Sequence, residues 1–153
     1  MVRIRPAAPA DVDALVPLFE HWGHPHGREG VAEILRQWQD LPHGAVLVAD
    51  DRGEVVGMAA VVASPRLADA KRNAHLQGLV VARRRLRTGV ASSLLTATED
   101  LAREWGCVRL ELTTTRTRDA AQHFYRARGY HETSTRQERF VRELPGRAVD
   151  AAG

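Results

Sequence analysis

The residues best suited to chemistry lie in one run, Leu79-Val80-Val81-Ala82-Arg83-Arg84-Arg85-Leu86-Arg87-Thr88-Gly89-Val90-Ala91-Ser92. An apolar strand ends there, a basic turn follows, and Gly89 with Ala91 opens a long helix. The first turn of a helix presents backbone N–H groups without intrahelical partners at the positive end of its dipole, and small residues let an anion approach them. The chemistry this supports is phosphate binding. The run has no Gly-Lys-Ser/Thr, so it is not a Walker loop, and it has one of the three glycines of the dinucleotide fingerprint. Taken alone, it reads first as a helix start with a solvated arginine cluster.

At these residues the chain resembles the GNAT superfamily, whose pyrophosphate-binding motif is Arg/Gln-x-x-Gly-x-Gly/Ala after a Leu-Val-Val strand. Gly89 and Ala91 match; Leu86 departs, standing where the family usually has Arg or Gln, with Arg85 and Arg87 on either side. A second segment, Ala121-Gln122-His123-Phe124-Tyr125-Arg126-Ala127-Arg128-Gly129-Tyr130, is similar to the family's Ala-x-x-Phe-Tyr-x-x-x-Gly-Phe/Tyr. Arg118 replaces the family's Asn seven residues before the tyrosine. The resemblance covers Val2 to about Leu144, its specific part being Leu76 to Tyr130.

The resemblance implies an acyl-CoA-dependent N-acyltransferase with acetyl-CoA as co-substrate and no metal. Its sheet would splay between the strands Ala74–Ala82 and Val108–Thr114. Pantetheine would lie in the gap against Leu79, Val80 and Val81, and the pyrophosphate on Leu86, Arg87, Thr88, Gly89, Val90, Ala91 and Ser92. A primary amine would attack the thioester directly in a ternary complex as a thiolate leaves. By analogy Tyr125 donates a proton to that sulfur; apart from the motif it reads as the amphipathic partner of Phe124. Many family members carry a glutamate base immediately before the Leu-Val-Val run, where this chain has Gly78. Glu111, on the partner strand, is the substitute, since a carboxylate in a cleft takes a proton directly or through water. Its alternative reading is a surface carboxylate paired with Arg109; His75 and Glu20 are reserves. His21, His24 and His26 fall in the loop that borders the acceptor site in this family, and they are read as lining its mouth. They lack helical His-x-x-x-His spacing and a companion Cys, which counts against zinc.

These residues need a scaffold. Val2–Arg5 opens with a strand, and Val12, Leu15, Phe19 and Trp22 recur at helical spacing, with Pro17 expected to kink or shorten that helix. A second helix is expected over Glu29–Gln39 with Val31, Ile34, Leu35 and Trp38 inward. Ala45–Ala49 and Glu54–Ala63 flank the turn residues Asp50-Asp51-Arg52-Gly53 and predict a hairpin. Ala74–Ala82 is a strand, and Val90–Trp105 a helix ended by Gly106. Val108, Leu110 and Leu112 alternate with Arg109, Glu111 and Thr113 as a strand. Asp119–Arg128 is a helix closed by Gly129, and Arg136–Leu144 a last strand. The fold class is α/β, α+β in detail: a mixed sheet with about four helices. Residues 1–144 form one domain and 145–153 a short flexible tail.

Composition narrows the classes. The formal net charge is +3, and every cationic residue except Lys71 is arginine, or histidine where protonated. Guanidinium forks suit phosphate, yet base composition produces the same bias, so the bias decides nothing. No apolar run approaches the roughly 20 residues that span a bilayer, and the N-terminus lacks a secretory pattern. The expected setting is the cytoplasm, with no membrane and no nucleic acid as partner, a small-molecule amine as acceptor, and a homodimer as the assembly. Protein acetylation and a non-catalytic acyl-CoA sensor are the alternatives. The lone cysteine, Cys107, reads as a small residue opening a buried strand, with no catalytic role.

Overall fold

The computed structural model describes residues 2–114 and 119–146. The chain divides after Thr113 into two compact units. The first holds a five-stranded sheet in the order β1-β2-β3-β4-β5, with β1 Arg3–Pro6, β2 Gly44–Asp51, β3 Glu54–Pro65, β4 Arg72–Val81 and β5 Cys107–Glu111. Its helices are α1 Val12–Trp22, α2 Arg28–Gln39 and α3 Val90–Glu104. Strands β1 to β4 pair antiparallel, and β5 joins β4 in parallel. This is the mixed sheet the element order predicts.

The hairpin turn is tighter than expected. Asp51 pairs with Glu54, leaving Arg52 and Gly53 with φ of 54° and 92°, the two positive values that a two-residue turn matched to strand twist requires. Pro17 stands inside α1 without ending it. The helix stops at Gly23, where φ is 98°, the Gly23 N–H donates to Glu20 O and His24 N–H to Phe19 O, the crossed bonds of a left-handed cap.

Each sheet face buries a different helix set. Val48, Val55, Met58 and Val80 pack with Leu15, Phe19 and Val31 of α1 and α2. A side chain at Gly57, beside Met58 but on the other face, would meet Val90 and Leu94 of α3. At the far end of α3, Leu101, Ala102 and Trp105 cover Val61, Ala74, Cys107 and Leu110. Burial pushes the Cys107 thiol up, in keeping with its packing role.

Two irregularities shape the site. Ala60 pairs with Gly78 and Val61 with Leu76, so Gln77 is an extra, bulged residue in β4. On β5, Cys107 faces Arg72 while Arg109 faces Asn73, so Val108 is extra. That bulge breaks the alternation expected from the sequence: Val108 is 54% exposed, and Cys107 with Leu110 turns inward. The β4–β5 pairing ends at His75 and Glu111, although β4 continues to Val81. Among the described residues, β5 ends at that rung and β4 from Leu76 onward is bonded to β3 alone, which leaves an open edge where the resemblance implies a gap.

The second unit contains α4, Asp119–Ala127. Gly129, at φ 92°, closes it: its N–H donates to Arg126 O and that of Tyr130 to Tyr125 O. The strand expected over Arg136–Leu144 does not form. Its large apolar residues Phe140, Val141 and Leu144 are 87%, 66% and 84% exposed; two of them are adjacent, so no single sheet face would take them both. Pro145 and Gly146 of the expected tail are exposed; residues 147–153, and Arg118, lie outside the described residues. No helix among the described residues is long and apolar enough to cross a membrane.

Candidate active site

Gly89 is the residue before α3, with φ of 89°. Ser93 N–H donates to Gly89 O at 3.0 Å. Among the described residues, the amides of Arg87, Thr88, Gly89, Val90, Ala91 and Ser92 have no acceptor. Arg87 also has positive φ, 61°, and the Thr88 hydroxyl donates to Arg85 O, folding the loop back on itself. A cluster of free amides at the start of a fifteen-residue helix has the chemistry of an anion cradle. A side chain at Gly89 would meet no atom within 4 Å, so the space over the cradle is open.

The arginines before it have another task. Arg83 Nε donates to His21 Nδ1 at 2.9 Å, Arg84 pairs with Glu54, and Arg85 with Asp51 at 2.6 Å. The Arg85 bond holds the Asp51 carboxyl below the usual range. These arginines fasten the loop before α3 to α1 and to the β2–β3 turn. Among the described residues Arg87 has no side-chain partner, and it alone of the four is unengaged. Leu86, in the departing motif position, is 53% exposed. Val80 and Val81 are buried and Leu79 half-buried, so these residues offer a ligand chiefly backbone, along the unpaired stretch of β4.

Glu111 occupies the last paired rung of β4 and β5, opposite His75, where the open edge of β4 begins. Its Oε1 lies 3.6 Å from Arg109 Nη1 and accepts from Asn73 Nδ2 at 3.4 Å. It is therefore both at the opening and ion-paired, with half its side chain exposed. Tyr125 belongs to the second unit. Its ring meets Phe124 and Tyr130 edge-on at centroid distances of 5.2 and 5.7 Å. The Tyr130 contact is the apolar pair that accompanies a left-handed helix cap, so the Gly129 turn orients Tyr125. Burial pushes its phenol above the ordinary value.

The histidines separate. His21 lines a cleft of about 850 Å³ with Glu20, Arg52, Glu54, Arg83 and Arg84. His24 lies against Trp22 and His26 against Phe19, at 4.5 and 5.6 Å. Both line a second cavity, about 250 Å³, with Trp38, Met58, Gln77 and Gly78. Sequence reasoning missed this cavity because it counted Trp22 and Trp38 as core. The available signal was Gly78, a glycine inside a β-rich run, which marks a close approach: a Cβ there would lie 2.8 Å from Trp22 Cζ2.

Residues 12–130 match the model of the acetyltransferase (GNAT) family. The chain belongs to this family. It is 27% identical over 135 residues to a Bacillus subtilis (strain 168) protein described as an uncharacterized N-acetyltransferase, YhfO, covering 86% of this chain and 91% of the relative. Two solved structures share the fold. A Bacillus halodurans C-125 protein described as a transcriptional regulator has TM-score 0.82 at 22% identity, covering 94% of this chain and 100% of its own. The aminoglycoside N-acetyltransferase AAC(6')-Iy, in complex with CoA, has TM-score 0.81 at 20% identity, covering 94% and 95%. Family membership supports N-acetyltransferase activity with an acyl-CoA donor.

Proposed function

We propose that this GNAT protein transfers acetyl from acetyl-CoA to the primary amine of a small molecule in a ternary complex, in the cytoplasm and as a homodimer. The observation that carries this reading is the open α3 N-terminus, continuous with a strand whose edge is unpaired from Leu76 to Val81. Free amides from Arg87 to Ser92 suit the pyrophosphate, Arg87 adds an unengaged cation, and the backbone of Leu79, Val80 and Val81 offers a ladder for an amide-containing arm. Acetyl-CoA supplies an activated thioester. The chain's own groups then manage protons: Glu111, where the open edge of β4 begins, removes one from the amine, directly or through water, and the Tyr125 hydroxyl donates one to the departing sulfur.

Thiol release from acetyl-CoA across an amine panel tests the reaction, and a melting shift with CoA but not NAD tests the donor. Turnover with at least one primary amine is expected. A CoA shift without turnover on any amine, peptides included, would leave an acyl-CoA sensor.

A further inference from the structure

We infer that the smaller cavity is the acceptor subsite and that it selects a monoamine carried on one aromatic or branched aliphatic body, against polyamines and amino sugars. This deepens the acetyltransfer reading and rests on it. Phe19, Trp22, Ile34, Leu35, Trp38 and Met58 line it, together with Ala59 and Ala60 of β3 and Gln77 and Gly78 of β4. Among the described residues no carboxylate lines it, and His24 and His26 are the titratable side chains that do. A cavity of about 150 Å³ takes a benzene ring, so 250 Å³ holds one ring with a short amine arm and would leave most of a multi-ring sugar outside. A polycation buried there would have no carboxylate among these lining residues to pair with its several ammonium groups, at large cost. A monoamine keeps its one nitrogen at the Gln77–Gly78 end and its apolar body between the indoles. Apolar surroundings also favour the neutral amine, the form that attacks.

Gly78 links this selectivity to the missing glutamate. A Cβ at residue 78 would stand 2.8 and 3.0 Å from Trp22 Cζ2 and Cη2, so the indole fills the space into which an acidic side chain would project. The aromatic wall and the absent carboxylate are one arrangement. Gln77 and Gly78 immediately precede Leu79 on the unpaired stretch of β4, next to the backbone proposed to hold the donor.

The test uses the full chain and two readouts. Two of its three tryptophans line the cavity, so 2-phenylethylamine, without acetyl-CoA, should change tryptophan emission saturably. Spermidine, kanamycin and a tetrapeptide with a free α-amine should bind at least about tenfold more weakly, and kcat/KM in thiol release should rank the amines alike. Trp38→Ala should weaken 2-phenylethylamine at least about tenfold with the CoA melting shift kept, and Ile34→Glu should move preference toward spermidine. Equal or tighter binding of spermidine, kanamycin or the peptide, or 2-phenylethylamine affinity unchanged in both folded variants, overturns the inference. If no amine releases thiol and CoA gives no shift, the acetyltransfer reading falls instead, while the emission titration still decides what the cavity takes.

Discussion

At the residue scale, the two groups proposed to handle protons make separable predictions. Tyr125→Phe keeps the ring and its contacts with Phe124 and Tyr130 and deletes one donor. Both kcat and kcat/KM should fall together, by roughly 10- to 1,000-fold, as expected when an interaction made only in the transition state is lost. The CoA melting shift should stay; wild-type turnover with chemistry rate-limiting would make Tyr125 packing alone. Because burial raises the phenol, it stays protonated throughout the neutral range and remains a donor there. For Glu111→Gln, turnover at neutral pH should drop roughly 100-fold or more, with CoA binding retained. Near-normal turnover would reduce Glu111 to the partner of Arg109 and Asn73 that the structure also shows. The place of Gly89 before α3 and of Tyr125 in a helix closed by Gly129 is legible in the sequence because both are tied to local spacing. The Trp22 contact with Gly78 is not, since residues 56 positions apart in sequence meet through tertiary packing alone.

At the scale of elements, the start of α3 is the part with a sharp steric prediction. Gly89→Glu puts a carboxylate over the amides, and the melting shift from acetyl-CoA should vanish. Gly89→Ala separates charge from backbone. Its Cβ meets nothing within 4 Å, but φ of 89° makes it strained by about 1–2 kcal/mol, so the free protein should melt lower while the CoA shift largely survives. A shift unchanged in a folded Gly89→Glu protein would move the donor site elsewhere. Most elements could be read from periodicity and glycine stops, as at Gly106 and Gly129. The bulges at Gln77 and Val108 could not, because a bulge is a property of the pairing between two strands and not of either one. The run from Arg136 to Leu144 was misread for the same reason: apolar residues in a short stretch do not make a strand without a face to bury.

At the scale of the molecule, stability should depend on acid in part through the part-buried cluster of Arg5 with Asp11 and Asp50. Arg5 donates to Asp11 Oδ2 and Oδ1 at 2.8 and 2.9 Å and to Asp50 at 3.0 Å, joining β1, the start of α1 and the hairpin. The Arg5 hydrogen bonds hold the Asp11 carboxyl below its ordinary value. Its contribution is therefore fully present above the unfolded-state pKa and is lost as pH falls through the lower, folded one. Asp11→Asn should cost about 1–2 kcal/mol at pH 7, several degrees of melting temperature, and the two proteins should converge as pH drops below about 4. A gap that persists at pH 2 would assign the loss to packing.

The half-paired β4 also bears on how the protein behaves in a tube. A strand bonded on one side only is a template for another chain, and Leu76–Val81 carries four apolar residues in an apolar-rich run. A donor arm lying along that edge would use the same backbone groups that a second molecule needs in order to add a strand. Concentrated stocks stripped of acetyl-CoA should therefore cloud earlier than loaded ones, even far below the melting temperature, and crystals should come more readily from the loaded form.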